Sequence, residues 1–595
     1  MSMTLASLTT SFCSITVEGE AGPFTCALSI QAFDEDVDLV RLTLSAPTPC
    51  RPPKMALRWR LPMVRAHQVW HPSCHTNRSI PMSWQSSTVA SRGTTNAPVA
   101  AIFDLDGRNT LTFAFSDCLN AVDCAVGVED HGADAGCVLR LFQEPHPLVV
   151  SYEAVLRLDR RRIPLWQALR EVAAWWETLP GMTPAVSPDC ARLPTYCTWY
   201  SMHQKLRPAD IERQCQLAKG LGMDAIIIDD GWQTEDTGGG YSYCGDWEVA
   251  LSKFPDLRAH VDRVHALGMK VILWFSVPFV GANSQLFVRF RDKLLNAATA
   301  KPVYVLDPRF PEVREFLIAK YERALREWGV DGLKLDFVDE FKAYAETQDL
   351  FGEGRDFDSV PAAAQHLLLE VMTRLRAIRP DLMIEFRQAY TGPHMRACGN
   401  MFRSVDVPND IAGNRIRTVD LRLLSRATAV HADPFMWNLR DPVESAALFF
   451  AHTFFAVPQI SMLLDQLPAD HLAMMGHYLR TWRAYRDVLL DGEFMPQAPE
   501  LLYPVVIARS SAKLAAAVYG RAACISIAQA LPADALIING TLQRGVVVQL
   551  SEDAGVREVT VSDCTGAQVS RQRLAMPAGV LHLDIPPAGL ATLRA

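Results

Sequence analysis

Charged residues interrupt an otherwise apolar segment in the middle of the chain. Residues 331–341 read DGLKLDFVDEF, so Lys334 and Asp336 stand among the leucine and phenylalanine side chains of a predicted buried strand. A buried charge without a partner costs several kcal/mol. The pattern therefore predicts that each of the two side chains finds a partner.

Polar and aromatic residues also end most other predicted strands of the central region. In chain order these strand-end residues are Trp199, Tyr200, Asp229, Asp230, Trp232, Trp274, Glu385, Arg387, Arg403, Asp406, His431 and Asp433. Each has a structural alternative: Asp230 could cap a turn, His431 could be a core histidine, and the tryptophans could be core aromatics. Together they favour one site on one rim of the fold.

The mixture of residue types in this predicted site suits a sugar. Indole rings stack on the C–H face of a pyranose, and Asp, Lys and Arg side chains hydrogen-bond to its hydroxyl groups. Asp336 and Asp406, after the fourth and sixth strands, could flank a glycosidic bond. The required separation is about 5–5.5 Å for a retaining glycosidase and about 6.5–9.5 Å for an inverting one. The sequence leaves that separation open.

Strand and helix patterns alternate eight times between about residues 192 and 493, which predicts a (β/α)8 TIM barrel. A doubly wound sheet is the alternative, but the chain lacks the Gly-rich phosphate turn that usually accompanies it. Short strands separated by turn residues precede and follow this region. We therefore expect an α/β protein with the domains 1–190 (β-sandwich plus linker helix), 191–494 (catalytic barrel) and 495–595 (small antiparallel β-domain).

Composition limits the partners and the compartment. The 595 residues carry a net charge of -8 with no basic stripe, which argues against nucleic acid or a membrane surface as partner. The 14 cysteines show no CxxC pair or zinc-finger spacing. The N-terminus is a poor signal peptide, and no 18-residue apolar segment occurs. We expect a cytoplasmic protein that needs no metal or cofactor, with its oligomeric state, including a homo-oligomer, left open.

Several motifs together resemble clan D of the glycoside hydrolases, and within it family 36, the α-galactosidases and their raffinose-synthase-like relatives. The motifs are IIIDDGWQ, GDWEVALSKFPDLRAHVDRVHALGMKVILW, DGLKLDF, FRSVDVPND and RDVLLDGE. The resemblance runs over the whole chain, including the order of its three parts. It implies a retaining exo-glycosidase that hydrolyses terminal α-galactosides through a covalent galactosyl-aspartate.

The resemblance also implies a role for individual residues. Asp336 is the expected nucleophile and Asp406 the acid/base, with Asp410 as its rival for that role. Lys334 and Asp336 would project into the active-site mouth, where each is the partner of the other. The expected substrate-binding residues are Trp199, Asp229, Asp230, Trp232, Trp274, Lys334, Arg387, Arg403 and Asp410. Asp229 and Asp230 would hold the O4 and O6 hydroxyls of the sugar.

Two segments depart from the family pattern and keep alternatives open. IEFRQAYTGP stands in place of a Cys-Gly-rich segment after strand 5, and SVPFVG replaces EPEM after strand 3. A raffinose-synthase-like galactosyltransferase and an α-N-acetylgalactosaminidase of the same fold are therefore alternatives. A metal-dependent hydrolase using His431, Asp433 and His452 would be a different chemistry. A sugar-binding protein without catalysis is the non-enzymatic alternative.

Overall fold

The computed structural model describes residues 3–20, 22–34, 36–85, 87–296, 303–347 and 352–595. Two antiparallel six-stranded sheets come first, then a ring of eight parallel strands with helices, then a second pair of sheets. Within the described ranges, no helix is both long enough and apolar enough to cross a bilayer. The 14 cysteines are all free thiols.

The N-terminal sheets face each other across an apolar core because their strands alternate in hydropathy. In β5, for example, Met55, Leu57, Trp59 and Leu61 are buried while the residues between them are more exposed. The strands are β1 (Met3–Thr9), β2 (Ser14–Gly19), β3 (Thr25–Asp34), β4 (Val37–Cys50), β5 (Met55–Pro62), β6 (Gln68–Trp70), β7 (Ser87–Ser91), β8 (Val99–Phe103), β9 (Asn109–Phe115), β10 (Val122–Glu129), β11 (Asp134–Leu141) and β12 (Val149–Asp159).

All eight strands predicted for the central region are present and lie side by side in parallel. Bridges from His431 to Val457 and from Phe435 to Ile460 join the first and last strands of the row and close it. The predicted (β/α)8 barrel is thereby confirmed. Its strands are β13 (Thr195–Cys197), β14 (Ala225–Ile228), β15 (Lys270–Ser276), β18 (Gly332–Asp336), β19 (Met383–Arg387), β20 (Met401–Arg403), β21 (Ala429–His431) and β22 (Gln459–Ile460), with a small hairpin of β16 (Phe279–Gly281) and β17 (Val303–Val305) after β15.

Amphipathic helices cover the ring. In the segment 257–266, Leu257, Val261 and Val264 are buried, and Asp256 caps the helix by accepting from the amide of Ala259 at 2.9 Å. The helices of the chain are α1 (Leu165–Glu177), α2 (Trp199–Met202), α3 (Pro208–Leu221), α4 (Leu257–Ala266), α5 (Gln285–Phe290), α6 (Pro311–Arg323), α7 (Val360–Ile378), α8 (Met395–Cys398), α9 (Ile411–Ser425), α10 (Val443–His452) and α11 (Ala469–Asp491).

The C-terminal region has a seven-stranded and a three-stranded sheet. The prediction of a purely antiparallel domain is wrong, because β25 and β27 run parallel, as do β26 and β28. The chain passes from one sheet to the other between successive strands, with β25 and β27 in the larger sheet and β26 and β28 in the smaller one. Each sheet therefore receives two strands that run in the same direction. The strands are β23 (Glu493–Gln497), β24 (Val505–Arg509), β25 (Lys513–Val518), β26 (Cys524–Ile527), β27 (Asp534–Asn539), β28 (Val546–Leu550), β29 (Val556–Ser562), β30 (Gln568–Ala575), β31 (Gly579–Leu583) and β32 (Leu590–Arg594).

Candidate active site

The strand β18 places two charged side chains at the carboxyl end of the barrel. Side chains two residues apart on a strand point to the same side, so Lys334 and Asp336 share one orientation. In the neighbouring strand β15, Trp274 lies beside Lys334 and Ser276 lies beside Asp336. The parallel register therefore brings an indole ring next to both charges.

Asp336 is a buried carboxylate surrounded by donors. Arg387 Nε lies 2.9 Å from its Oδ1, Trp274 Nε1 donates to its Oδ2 at 3.0 Å, and the Tyr390 hydroxyl also donates to it. Burial alone would raise the pKa of Asp336. The positive charges of Arg387 and Lys334, with these hydrogen bonds, outweigh burial and hold the pKa well below its usual value. Asp336 is therefore ionised over the ordinary pH range.

Lys334 does not pair with Asp336, so the predicted partnership of these two residues is wrong. Its ammonium group lies 2.7 Å from Oδ2 of Asp229, which follows β14, two strands away in the barrel. Burial tends to lower the pKa of Lys334, but the negative charges of Asp229 and Asp336 together outweigh burial and raise it. The ammonium group is thus a fixed positive charge that acts on Asp336 through space.

Asp230 is held by two amide groups beside this ion pair. Gln204 and Gln233 each donate to one of its carboxylate oxygens at 2.7 Å. Burial raises the pKa of Asp230 to about 6 even though both hydrogen bonds favour the charged form. Asp229 and Asp230 thus present carboxylate oxygens to the cavity in a fixed orientation.

Asp406 is the second carboxylate of the cavity and differs from Asp336 in its exposure. Its side chain is 50% exposed, whereas that of Asp336 is 8% exposed. Arg403 Nη2 lies 3.0 Å from Asp406 Oδ1, and the same guanidinium pairs with the buried Asp433. Burial acts to raise the pKa of Asp406, but the charges of Arg403, Arg387 and Lys334 outweigh it and lower the pKa.

One narrow cavity collects most of the predicted site residues. It is lined by Trp199, Asp229, Asp230, Tyr241, Trp274, Lys334, Asp336, Phe337, Arg387, Arg403 and Asp406. The free space between these side chains is only ≈ 40 Å³, room for a few water molecules.

Two predicted residues lie outside this cavity. Trp232 is fully buried, and its indole N–H donates to the carbonyl of Trp274 at 2.8 Å, so it supports β15 from below. Asp410 is exposed and caps α9, accepting from the amide of Gly413 at 2.7 Å. Both residues thus have a structural role. Asp410 lies outside the cavity because the loop after β20 turns at Asp406 and has reached the start of α9 at Asp410.

Sequence reasoning missed three aromatic residues that the fold brings to the site. Tyr390 follows β19 and donates to Asp336, and Tyr241 and Phe337 line the cavity. Tyr390 stands three residues after Arg387 in IEFRQAYTGP, and this position could have indicated its contact with Asp336. The segment was interpreted only as a departure from the family pattern. Tyr241 follows three glycines in a long loop, and no sequence pattern connects that loop to the barrel mouth.

Each of the two histidines named for a metal site has one ring nitrogen within hydrogen-bond distance of a backbone carbonyl. His431 Nε2 is 2.8 Å from the carbonyl of Ala191, and His452 Nε2 is 2.9 Å from that of Gly540. In the described part of the chain, no group of three or more His, Cys, Asp or Glu side chains could hold a metal ion. These contacts favour core roles for His431 and His452.

Comparison with known proteins identifies the central region. Residues 196–390 match the family model Melibiase. The alpha-galactosidase Mel36A of Lactobacillus acidophilus is 28% identical over 205 residues, which are 31% of this chain and 27% of that protein. The matched segment thus spans about a quarter of the relative's length.

Solved structures extend the likeness to nearly the whole fold. The alpha-galactosidase from Lactobacillus brevis has a TM-score of 0.65 at 16% identity, covering 98% of this chain and 82% of that one. A GH36 alpha-galactosidase, AgaA from Geobacillus stearothermophilus in complex with raffinose, has a TM-score of 0.64 at 14% identity, with 98% and 83% covered. Residues 196–390 therefore resemble the Melibiase family, and the chain has the fold of the GH36 alpha-galactosidase structures.

Proposed function

We propose that the protein is a glycoside hydrolase that releases terminal α-galactose from small α-galactosides with retention of configuration. One observation carries the proposal: an ionised, donor-held Asp336 and a half-exposed Asp406 line the same cavity. Two carboxylates that line one site are the machinery of most glycosidases. The likeness to alpha-galactosidase Mel36A and to the raffinose complex of AgaA supports the choice of sugar.

In the first step, an Asp336 oxygen attacks the anomeric carbon as the bond to the leaving oxygen breaks. The low pKa of Asp336 keeps the nucleophile charged, and Trp274, Arg387 and Tyr390 hold its oxygens in place. Asp406 gives its proton to the departing oxygen. A sugar bound against this half-exposed carboxyl removes water from it, which raises its pKa in the complex.

In the second step, Asp406 acts as the base that activates water. The negative charge of Asp336 tends to raise the pKa of Asp406. That charge disappears when Asp336 becomes an ester, so the pKa of Asp406 falls and the carboxylate is ready to accept a proton. Water then attacks the anomeric carbon and restores Asp336.

The remaining cavity residues would recognise the sugar. Asp229, fixed by Lys334, and Asp230, fixed by two glutamines, offer oxygens that accept from hydroxyl groups. Trp199 and Trp274 offer ring surfaces to the C–H face. We also propose that the reaction takes place in the cytoplasm, because all 14 cysteines are free thiols.

The test is the Asp336→Gly variant with p-nitrophenyl α-galactoside and raffinose as substrates. Turnover should fall roughly 10⁴-fold or more, and azide should restore part of it with a product of inverted configuration. Asp410→Asn, which changes an aspartate outside the cavity, is the matched control and should keep its activity. An active Asp336→Gly enzyme, or a wild-type enzyme inactive on every α-galactoside, would refute the proposal.

Product analysis separates hydrolysis from transfer. With raffinose and excess sucrose, a hydrolase accumulates free galactose, whereas a galactosyltransferase accumulates a new oligosaccharide. We expect free galactose to dominate, because the half-exposed Asp406 faces water in the free enzyme. A dominant oligosaccharide would move the assignment to transfer while leaving Asp336 as nucleophile.

A further inference from the structure

A second cavity, rich in arginine, lies at the opposite end of the barrel from Asp336. Arg192 precedes β13, Arg396 precedes β20 and Arg426 precedes β21, so these residues stand at the amino ends of the strands. The volume of this cavity is ≈ 510 Å³, within the range of about 300–1,000 Å³ typical of ligand sites. The linker helix α1 and the first C-terminal strand β23 complete its walls.

The residues that line this arginine cavity carry an excess of positive charge. Its lining contains the five arginines Arg170, Arg192, Arg396, Arg422 and Arg426. The acidic residues of the lining are Glu177 and Asp491. The lining thus has a net charge of 5 − 2 = +3.

The two acidic residues are already engaged. Glu177 lies 2.6 Å from Arg396 and 3.0 Å from Arg426, and Asp491 pairs with Arg192. A purely structural role, in which ion pairs join the linker helix to the barrel, accounts for these three arginines. It does not account for the other two.

Arg170 and Arg422 have no carboxylate partner in the described ranges. Arg170, on α1, has neither a hydrogen bond nor an ion pair there. Arg422 donates only to the carbonyls of Phe455 at 2.6 Å and Leu490 at 3.4 Å, and it lies 4.0 Å from the ring centroid of Phe494. Two guanidinium groups therefore face the cavity without an ion pair, although the charges of Glu493 and Asp491 act on Arg170 and Arg422 from a distance.

Burial and neighbouring cations oppose the charged form of both side chains. Burial, together with the positive charges of Arg170 and Arg192, lowers the pKa of Arg422 to about 9, although the Asp491 charge opposes the shift. Burial and the Arg426 charge likewise lower the pKa of Arg170 against the charge of Glu493. Both side chains remain charged at neutral pH, so an anion placed between them would relieve the repulsion.

We propose that this arginine cavity binds a small, multiply charged anion through phosphate or carboxylate oxygens, with Arg170 and Arg422 as its main contacts. Planar guanidinium groups bind both kinds of oxygen in pairs of hydrogen bonds. The site is at the other face of the barrel from the catalytic cavity, so such an anion would be an effector or a stabilising ligand rather than a substrate. This inference does not depend on the proposed function.

Calorimetric titration of the full-length protein tests the site, with inorganic pyrophosphate and citrate as probes and NaCl of equal ionic strength as reference. We expect saturable binding of at least one probe to the wild type. Arg170→Gln should weaken that binding about tenfold or more, the loss of one hydrogen bond to a charged group. Pyrophosphate binding alone would identify phosphate as the ligand group, and citrate binding alone would identify carboxylate.

The matched control is Arg376→Gln, which alters a half-buried arginine of α7 that has no ion pair among the described residues. It should bind the probe as the wild type does. Arg170→Gln removes no side-chain hydrogen bond or ion pair among the described residues, so its melting temperature without ligand should be close to that of the wild type. No saturable binding of either probe, or equal affinity in the wild type and Arg170→Gln, would overturn the proposal.

Discussion

The carboxylate of Asp336 shows how single residues set the chemistry of this site. A buried aspartate would ordinarily be protonated more easily than a free one, yet the donors around Asp336 reverse that tendency. Arg387 contributes a charge at 2.9 Å, and Tyr390 contributes an uncharged hydrogen bond. The two contributions can be separated by mutation.

Arg387→Gln should raise the pKa of Asp336, because the largest opposing charge is lost. Asp336 then takes up a proton at a higher pH, so kcat/KM should begin to fall at an acidic pH where the wild type is still active. We expect kcat/KM at neutral pH to fall about 10- to 100-fold, as for other lost transition-state contacts. The measurement is a pH profile of kcat/KM on p-nitrophenyl α-galactoside.

The matched variant for this prediction is Tyr390→Phe, which removes one uncharged donor from Asp336 and keeps the ring. The pH at which kcat/KM begins to fall on the acidic side should shift less in Tyr390→Phe than in Arg387→Gln. Equal movement in both variants would show that charge is not the main cause of the low pKa.

Asp406→Ala should reveal the acid/base through the leaving group. Raffinose needs a proton on its leaving oxygen, so kcat/KM on it should fall about 10²- to 10⁴-fold. An activated aryl galactoside needs little protonation, so formation of its covalent intermediate should be nearly unchanged. Azide should restore turnover with a product of retained configuration. A uniform loss on both substrates would contradict the assignment.

Among the elements, the loop between β20 and α9 assigns different roles to two nearby aspartates. Asp406 leans toward Arg403, whereas Asp410 binds the first turn of α9. Two aspartates only four residues apart can differ in this way because the side chain of an N-cap residue accepts a hydrogen bond from an amide in the first turn of the helix.

Asp410→Ala should therefore affect stability and not catalysis. Loss of the cap should lower the free energy of unfolding by about 1 kcal/mol, seen as a lower urea midpoint. The leaving-group dependence of kcat/KM should match that of the wild type. An Asp410→Ala enzyme inactive on raffinose, beside an active Asp406→Ala enzyme, would transfer the acid/base role to Asp410.

Across the whole molecule, buried polar contacts tie the three parts of the chain together. Asp420 of α9 lies 3.0 Å from Arg78 of the N-terminal region and accepts from Tyr503, which precedes β24, at 2.7 Å. The Asn96 amide also donates to the carbonyl of Ala389 at 2.7 Å, next to Tyr390. The N-terminal region thus supports the segment that positions a donor to Asp336.

Asp420→Asn should destabilise the assembly of the three parts. It leaves the buried Arg78 charge without its anion, which typically costs about 3–5 kcal/mol. We expect a clearly lower melting temperature in calorimetry, with the single transition broadening or splitting. Tyr503→Phe removes only one hydrogen bond and should cost about 1 kcal/mol. An unchanged melting curve for Asp420→Asn would contradict this role.

Much of the fold and part of the site follow from local sequence patterns. Eight apolar strand segments and the amphipathic helices between them predict the barrel, because hydrophobic periodicity depends only on nearby residues. The residues predicted from their position at strand ends include Asp229, Trp274, Lys334, Asp336, Arg387 and Arg403, and all six line one cavity. The common direction of parallel strands guarantees that such residues meet on one rim.

The tertiary structure alone decided which of these residues touch. Lys334 pairs with Asp229, 105 positions away in the chain, and not with its neighbour Asp336. Tyr241 lines the cavity from a long loop, Tyr390 reaches Asp336 from the segment between β19 and α8, and Trp232 is buried outside the cavity. The arginines that line the second cavity come from separate helices and connecting segments. Sequence periodicity fixes which face of a strand or helix a side chain occupies, but partners distant in the chain are chosen by packing.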